Sequence, residues 1–198
     1  MKGGEPQEKM EKDKLTTLIT QYQKLCQYCD EVFAGTLHAF RPHIQCVKGC
    51  AACCILETVV PLEAYIIDAY LQSSPSLTIA AASERTEQFQ DQCIFLHNNE
   101  CAIYRVRPVI CRTHGLPMIY PDREGIDTCP LNFCERDVTS IDKGFLLDAE
   151  SITMNLMRLN LAFCIITGNI QSPENRIPLR RLITGWELPR NVSTIYTL

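Results

Sequence analysis

Nine of the twelve cysteines in this chain fall between residues 46 and 134. The first group reads Cys46-Val47-Lys48-Gly49-Cys50-Ala51-Ala52-Cys53-Cys54; the second is Cys93, Cys101 and Cys111; the third is Cys129 and Cys134. A thiolate is the soft ligand that zinc and iron–sulfur clusters select. Ligands drawn from distant segments turn metal-binding energy into folding energy. The grouping therefore points to a metal centre, with all nine cysteines as candidate ligands. Eight would fill two four-ligand sites, and a ninth is left over. Cys53 and Cys54 are neighbours, and adjacent side chains seldom converge on one metal. Either they serve different sites or one of them packs in the core. Sequence leaves open whether there is one site or two, and which cysteines belong to each.

Spacing bears on the choice of metal. Zinc sites usually show paired Cys-x2-4-Cys knuckles, which only Cys50–Cys53 and, loosely, Cys129–Cys134 resemble. The staggered Cys46-x3-Cys50-x2-Cys53 is closer to a loop that wraps an iron–sulfur cluster. The expected cofactor is therefore an iron–sulfur cluster, [4Fe–4S] by ligand number, with zinc as the alternative. The same spacing resembles the loop of radical S-adenosylmethionine enzymes, but the alternating strands and helices of their barrel are missing from the pattern.

Residues around Cys111 supply charge. Arg107 and Arg112 flank it, Tyr104 precedes it, and Pro108 fixes a backbone angle between Cys101 and Cys111. A four-thiolate cluster is negatively charged, so a nearby guanidinium would stabilise it and raise its potential. Tyr104, Arg107 and Arg112 are therefore candidate cofactor-binding residues. The plainer role for each arginine is a structural ion pair with an acid such as Glu100 or Asp122. His114 is an extra ligand, a proton carrier or a loop histidine bonded to backbone, the last being favoured. Lys48 is expected to be solvated.

Taken together, the CxxxCxxCC loop of Cys46–Cys54 and the segment Cys101-Ala102-Ile103-Tyr104-Arg105-Val106-Arg107-Pro108-Val109-Ile110-Cys111-Arg112 resemble the YkgJ-type cysteine-cluster family. That resemblance covers residues 46 to about 134 and implies a zinc- or iron-chelating domain. The chain departs from the pattern after Arg112, where Thr113-His114-Gly115 stands in place of an aromatic residue and proline. A relative of that family, the flagellin lysine N-methylase, is linked to iron–sulfur and S-adenosylmethionine use. The resemblance thus admits an enzyme, a cluster-dependent protein lysine methyltransferase or oxidoreductase, beside a metal-binding protein. A metal-free thiol–disulfide redox protein is the third reading.

These residues need a frame. The chain has 198 residues, 46% hydrophobic and 21% charged, with net charge −4. That composition fits a single soluble domain over 1–198, and the charge disfavours a nucleic-acid partner. No apolar run is long enough to span a membrane, and the first forty residues carry no signal-peptide pattern. A cytoplasmic location follows as the expectation, and reduced cysteines with it. Residues 1–12 are expected to be flexible.

The apolar stripe Leu15, Leu18, Ile19, Tyr22, Leu25, Cys26, Cys29, Val32, Phe33, Leu37 and Phe40 predicts a helix over 14–40. Cys26 and Cys29 lie on it and are expected to pack as small hydrophobes. A helix should start at Pro61, and a more polar one is expected over 79–89. Residues 93–96 and 101–104 predict a hairpin around Asn98-Asn99, and 116–128 a second. A long helix is expected over 142–166, with Cys164 in the core, followed by a loosely structured C-terminal wrap. The predicted fold class is α+β, mainly helical: long helices frame an irregular cysteine-rich centre over 46–134, with short hairpins, organised by metal.

Overall fold

The computed structural model describes residues 5–74, 92–168 and 175–186. The helix expected over 79–89 lies outside them. Helix α1 spans Glu5–Ala39, α2 Pro61–Ser73, α3 Val109–Thr113, α4 Ala149–Ile166 and α5 Arg181–Thr184. Six two-residue strands complete the order: β1 Thr58–Val59, β2 Leu96–His97, β3 Glu100–Cys101, β4 Met118–Ile119, β5 Leu147–Asp148 and β6 Ile177–Pro178. Among the described residues the fold is mainly helical with short strand pairs and no closed sheet, as the apolar periodicity predicts.

The frame is built by α1, α2 and α4. Leu15, Leu18, Ile19, Tyr22, Cys26 and Cys29 of α1 are buried against Leu62, Tyr65 and Ile66 of α2 and Ile152, Phe163 and Cys164 of α4. Cys26, Cys29 and Cys164 are thus core residues, as the stripe implies. Fully burying an Ile or Phe side chain stabilises by about 1.5–3 kcal/mol, and Val109 and Leu116 of the cysteine-bearing region join the same layer. Polar side chains enter it too. Asn160 on α4 is fully buried, and its Oδ1 accepts from the Leu62 N–H at 3.0 Å, an orphan donor in the first turn of α2.

Two helix boundaries differ from expectation. α1 starts at Glu5, inside the segment expected to be flexible. α4 starts at Ala149, seven residues after the expected Asp142. Asp142 caps only a short 3₁₀ turn, accepting from Gly144 N–H at 2.8 Å. Asp148 is the true N-cap, accepting from Ser151 N–H at 3.1 Å. Between these caps Leu147–Asp148 is drawn into a parallel pairing with Met118–Ile119. Local helix propensity loses there to a tertiary hydrogen-bond ladder.

The hairpin at 96–101 forms as the Asn pair predicts. Asn98 and Asn99 adopt φ of 47° and 60°, the left-handed pair of a type I′ turn, and Leu96 pairs with Cys101. The ladder stops at Cys101; Tyr104–Val106 is a 3₁₀ turn rather than strand. The second hairpin is reduced to one bridge, Met118 with Asp127, and Met118–Ile119 pairs with β5 as well. Of the expected C-terminal wrap only 175–186 lie within the described residues, and there β6 pairs antiparallel with β1.

Candidate metal centre

The loop Gln45–Leu56 leaves the end of α1 through the 3₁₀ turn Arg41–His43. It is held by turns, not strands: Cys50 N–H donates to the Val47 carbonyl at 3.0 Å and Cys54 N–H to the Ala51 carbonyl at 3.0 Å. Gly49 has φ of 93°, a left-handed angle that glycine supplies without strain.

Cys46 is met by two distant segments. The Nδ2 of Asn132 donates to its Sγ at 3.4 Å and to the Gly115 carbonyl at 2.8 Å. Oδ1 of the same side chain accepts from Gln45 N–H at 2.8 Å. Asn132 N–H donates to the Cys129 carbonyl at 2.8 Å. One buried asparagine thus knits the cysteine loop to the 115 turn and the 129 loop. A Cβ built on Gly115 would sit 2.8 Å from Cys46 Sγ and 3.7 Å from the Cys129 Cβ, and Gly115 has φ of 93°. Nothing but glycine fits. Burial raises the Cys46 thiol, with Cys129 and Cys50 as charge neighbours that add to the rise. Burial, then Cys54, Cys46 and Cys50, lift Cys53 to about 11.

A second set forms around the 96–101 hairpin. Cys93 N–H donates to the Cys54 carbonyl at 2.7 Å, which ties the first loop to the hairpin. Burial lifts Cys101 to about 11, and Cys93 and Cys54 add to it while Arg107 opposes. Cys111 lies on α3, a helix rather than the strand or turn expected. Although the residue as a whole is exposed, its thiol is pushed far up by desolvation and then by Cys93, Cys101, Glu63 and Cys54. Cys134 stands apart: it is exposed, and its Sγ donates to the Pro130 carbonyl at 3.3 Å.

The arginines beside Cys111 are committed elsewhere. Arg107 Nη2 donates to Asp30 Oδ1 at 2.6 Å, and Arg112 Nη1 donates to Asp30 Oδ2. The ion pair is with α1, not with Glu100 or Asp122. Glu100 instead pairs with Lys48 at 3.0 Å, so Lys48 is not simply solvated, although this exposed bridge is worth little. Arg107 also lies 4.0 Å over the exposed Tyr104 ring, and Arg112 donates to the Arg107 and Arg105 carbonyls. The turn ahead of Cys111 is therefore clamped to α1 through one carboxylate.

Breaking such a pair leaves two nearly buried guanidiniums without a counter-charge, and screening at the half-exposed Asp30 reduces the cost. We expect Asp30→Ala to destabilise by about 2 kcal/mol. Thermal denaturation should show a Tm lower by about 4–8 °C, with Asp30→Glu affected less.

Behind the clamp, Glu63 is buried, and its Oε1 accepts from Val109 N–H at 2.9 Å, capping α3. Burial pushes its carboxyl up, partly offset by the N–H donors of Val109 and Val60. Tyr22 lies beside Glu63 and Cys26, yet its buried hydroxyl meets no partner in hydrogen-bond geometry.

The structure therefore brings Cys46 beside the Cys129 loop and ties Cys54 to Cys93 and the hairpin of Cys101, while the Cys134 thiol bonds its own loop. Sequence reasoning missed Asn132, Gly115, Asp30 and Glu63. Glu63 alone carried a signal, as the one acid in the apolar run Val59–Ile67. Two histidine rings have other contacts: His43 stacks on Phe133 and His97 meets Asn98; exposed His114 closes the end of α3 through its backbone N–H, which donates to the Ile110 carbonyl.

The donor set suits a soft metal. None of the twelve cysteines is in a disulfide, and the Cys46, Cys53, Cys54, Cys101 and Cys111 thiols are raised by burial first and by neighbouring thiols second, a rise that a bound cation would reverse with release of protons. Gly115 leaves the space that a side chain would fill. The sulfurs are near rather than converged: among the described residues, no three Cys, His, Asp or Glu side chains are close enough to close on an ion. Among the described residues no helix is long and apolar enough to cross a membrane.

Residues 45–134 match the model of the CxxCxxCC family, whose description reads "Putative zinc- or iron-chelating domain". No curated protein and no solved structure matches the chain.

Proposed function

We propose, from the place of residues 45–134 in the CxxCxxCC family, that this protein binds an iron–sulfur cluster through its gathered cysteines. The observation that carries this reading is the thiol-rich donor set: none of the cysteines is in a disulfide, and the Cys46 loop is bound to the 115 turn, the 129 loop and the hairpin that carries Cys101. Cys46, Cys50, Cys53, Cys54, Cys93, Cys101, Cys111 and Cys129 would hold the metal. When bound, a cluster supplies an electron-accepting centre, whereas zinc supplies a structural staple. Arg107, near Cys101 and anchored on Asp30, supplies positive charge that favours the thiolate and offsets the negative charge of a ligated cluster. The N–H donated by Asn132 to Cys46 Sγ acts in the same direction.

The test is purification without oxygen from iron-replete cells, followed by metal and sulfide analysis. A brown protein with iron and acid-labile sulfide is expected. A colourless protein carrying stoichiometric zinc would overturn the iron–sulfur reading and leave a zinc staple.

A further inference from the structure

We infer that Glu63 is a positioning residue for Cys111: its buried carboxylate on α2 holds the first turn of α3 and so sets where the Cys111 thiol stands. The inference rests on the metal-binding reading above, in which Cys111 is a ligand. It deepens that reading by naming a group that acts on the ligand without touching the metal.

The need arises from what α3 lacks. The helix has five residues, Val109–Thr113, and one so short is marginal in water on its own. Its N-cap is Pro108, whose ring cannot accept a hydrogen bond. The Val109 N–H is an orphan donor of the first turn, on a residue 2% exposed. Its acceptor comes from another helix, 46 positions back: Glu63 Oε1 at 2.9 Å.

Glu63 is itself firmly placed. It is 3% exposed and is the third residue of α2, after Pro61 and Leu62, with Val60 as the N-cap. From there its carboxylate also takes the Val60 N–H, the reach-back half of a capping box. One side chain therefore satisfies the first turns of two helices. An acid stands in the apolar run Val59–Ile67 because two buried donors need an acceptor there.

The rest of α3 shows what this hold accomplishes. Val109, Arg112 and Thr113 are buried, three and four positions apart and so on one face. Ile110 and Cys111 are exposed on the other. The inner face is fixed from both sides of the frame: by Glu63 on α2 at Val109, and by Asp30 on α1 at Arg112. Cys111 lies between these anchors, its own N–H donating to the Pro108 carbonyl at 3.0 Å. Opening the first turn would leave its thiol on a strand of chain held only at Arg112.

The experiment uses the full chain with Glu63→Leu and Glu63→Gln, and two readouts. The first is hydrogen exchange of the metal-free protein at the amides of Cys111, Arg112 and His114, which donate to the Pro108 and Ile110 carbonyls. Leucine fills the space but accepts nothing. Stranding a buried donor is expected to speed exchange at these amides on the order of ten-fold, with α1 and α4 unchanged. Glutamine keeps one acceptor oxygen but no charge, so a smaller change in the same direction is expected. The second readout is release of metal to a competing chelator from protein loaded anaerobically, which should quicken in the same order. Unchanged exchange at α3 in Glu63→Leu overturns the inference. Faster exchange spread over all the helices overturns it too, because Glu63 would then be a general core residue. Faster exchange at α3 with unchanged metal release overturns the positioning role and leaves the metal-binding reading intact. A chain that takes up no metal at all sinks that reading, and the role of Glu63 with it, whatever the exchange shows. Should Glu63→Leu fail to fold, Glu63→Gln carries the same test, and wild-type values in both readouts would overturn the inference.

Discussion

Removing the metal with a chelator is expected to release the cysteine-bearing segments while the helical frame survives. The two parts are held by different forces. α1, α2 and α4 are packed through a continuous apolar layer that includes Ile19, Leu62 and Phe163, all fully buried. Residues 45–57 contain no strand or helix and close only through short turns. The hairpin that carries Cys101 has two residues per strand, too little to stand alone in water. A structural metal site contributes on the order of 10 kcal/mol of binding free energy that is also folding free energy. Its loss should lower Tm by more than about 20 °C. Hydrogen exchange should show lost protection at the turn amides of Cys50, Cys54 and Cys93, with α1 and α4 protected and the far-UV helical signal retained. Unchanged exchange in these turns after complete metal removal would show that the metal does not organise the centre.

Gly115→Ala should be the most damaging small substitution near the thiols. Two penalties add at this residue. A left-handed angle of 93° costs a side-chain-bearing residue about 1–2 kcal/mol. The new methyl would also lie 2.8 Å from Cys46 Sγ and 3.3 Å from Asn132 Nδ2. Neither neighbour has free room: Cys46 has a short side chain, and Asn132 is held by Gln45, by Gly115 itself and by Cys46. A total loss of about 2–4 kcal/mol is expected, with Cys46 displaced. Metal content should fall and the remaining metal should exchange faster with a competing chelator. Full metal content and an unchanged exchange rate in Gly115→Ala would contradict this account of the site. A second strained residue nearby, Phe133 with φ of 56°, shows the same loop held by its surroundings: its N–H donates to His43 at 2.7 Å and its ring packs edge-on to Phe40.

Some features of the molecule are written locally and others are not. Apolar periodicity determined α1 and α4, and with them the burial of Cys26, Cys29 and Cys164, because a helix face repeats within a few residues. The Asn98-Asn99 turn was legible for the same reason: left-handed angles are a property of the residues themselves. Cysteine count and spacing determined that the centre is built of thiols. Tertiary structure decided the rest. Asp30 is 77 positions from Arg107 and Asn132 is 86 from Cys46, so no spacing rule links them. The start of α4 moved to Ala149 because Leu147 and Asp148 found partners on β4. Which thiol stands beside which depends on long-range backbone bonds, such as Cys93 N–H to the Cys54 carbonyl. Sequence named the ligand chemistry because a side chain carries its chemistry wherever it lies. Only the folded chain decides which thiols are neighbours, because a metal reads distance in space and not along the chain.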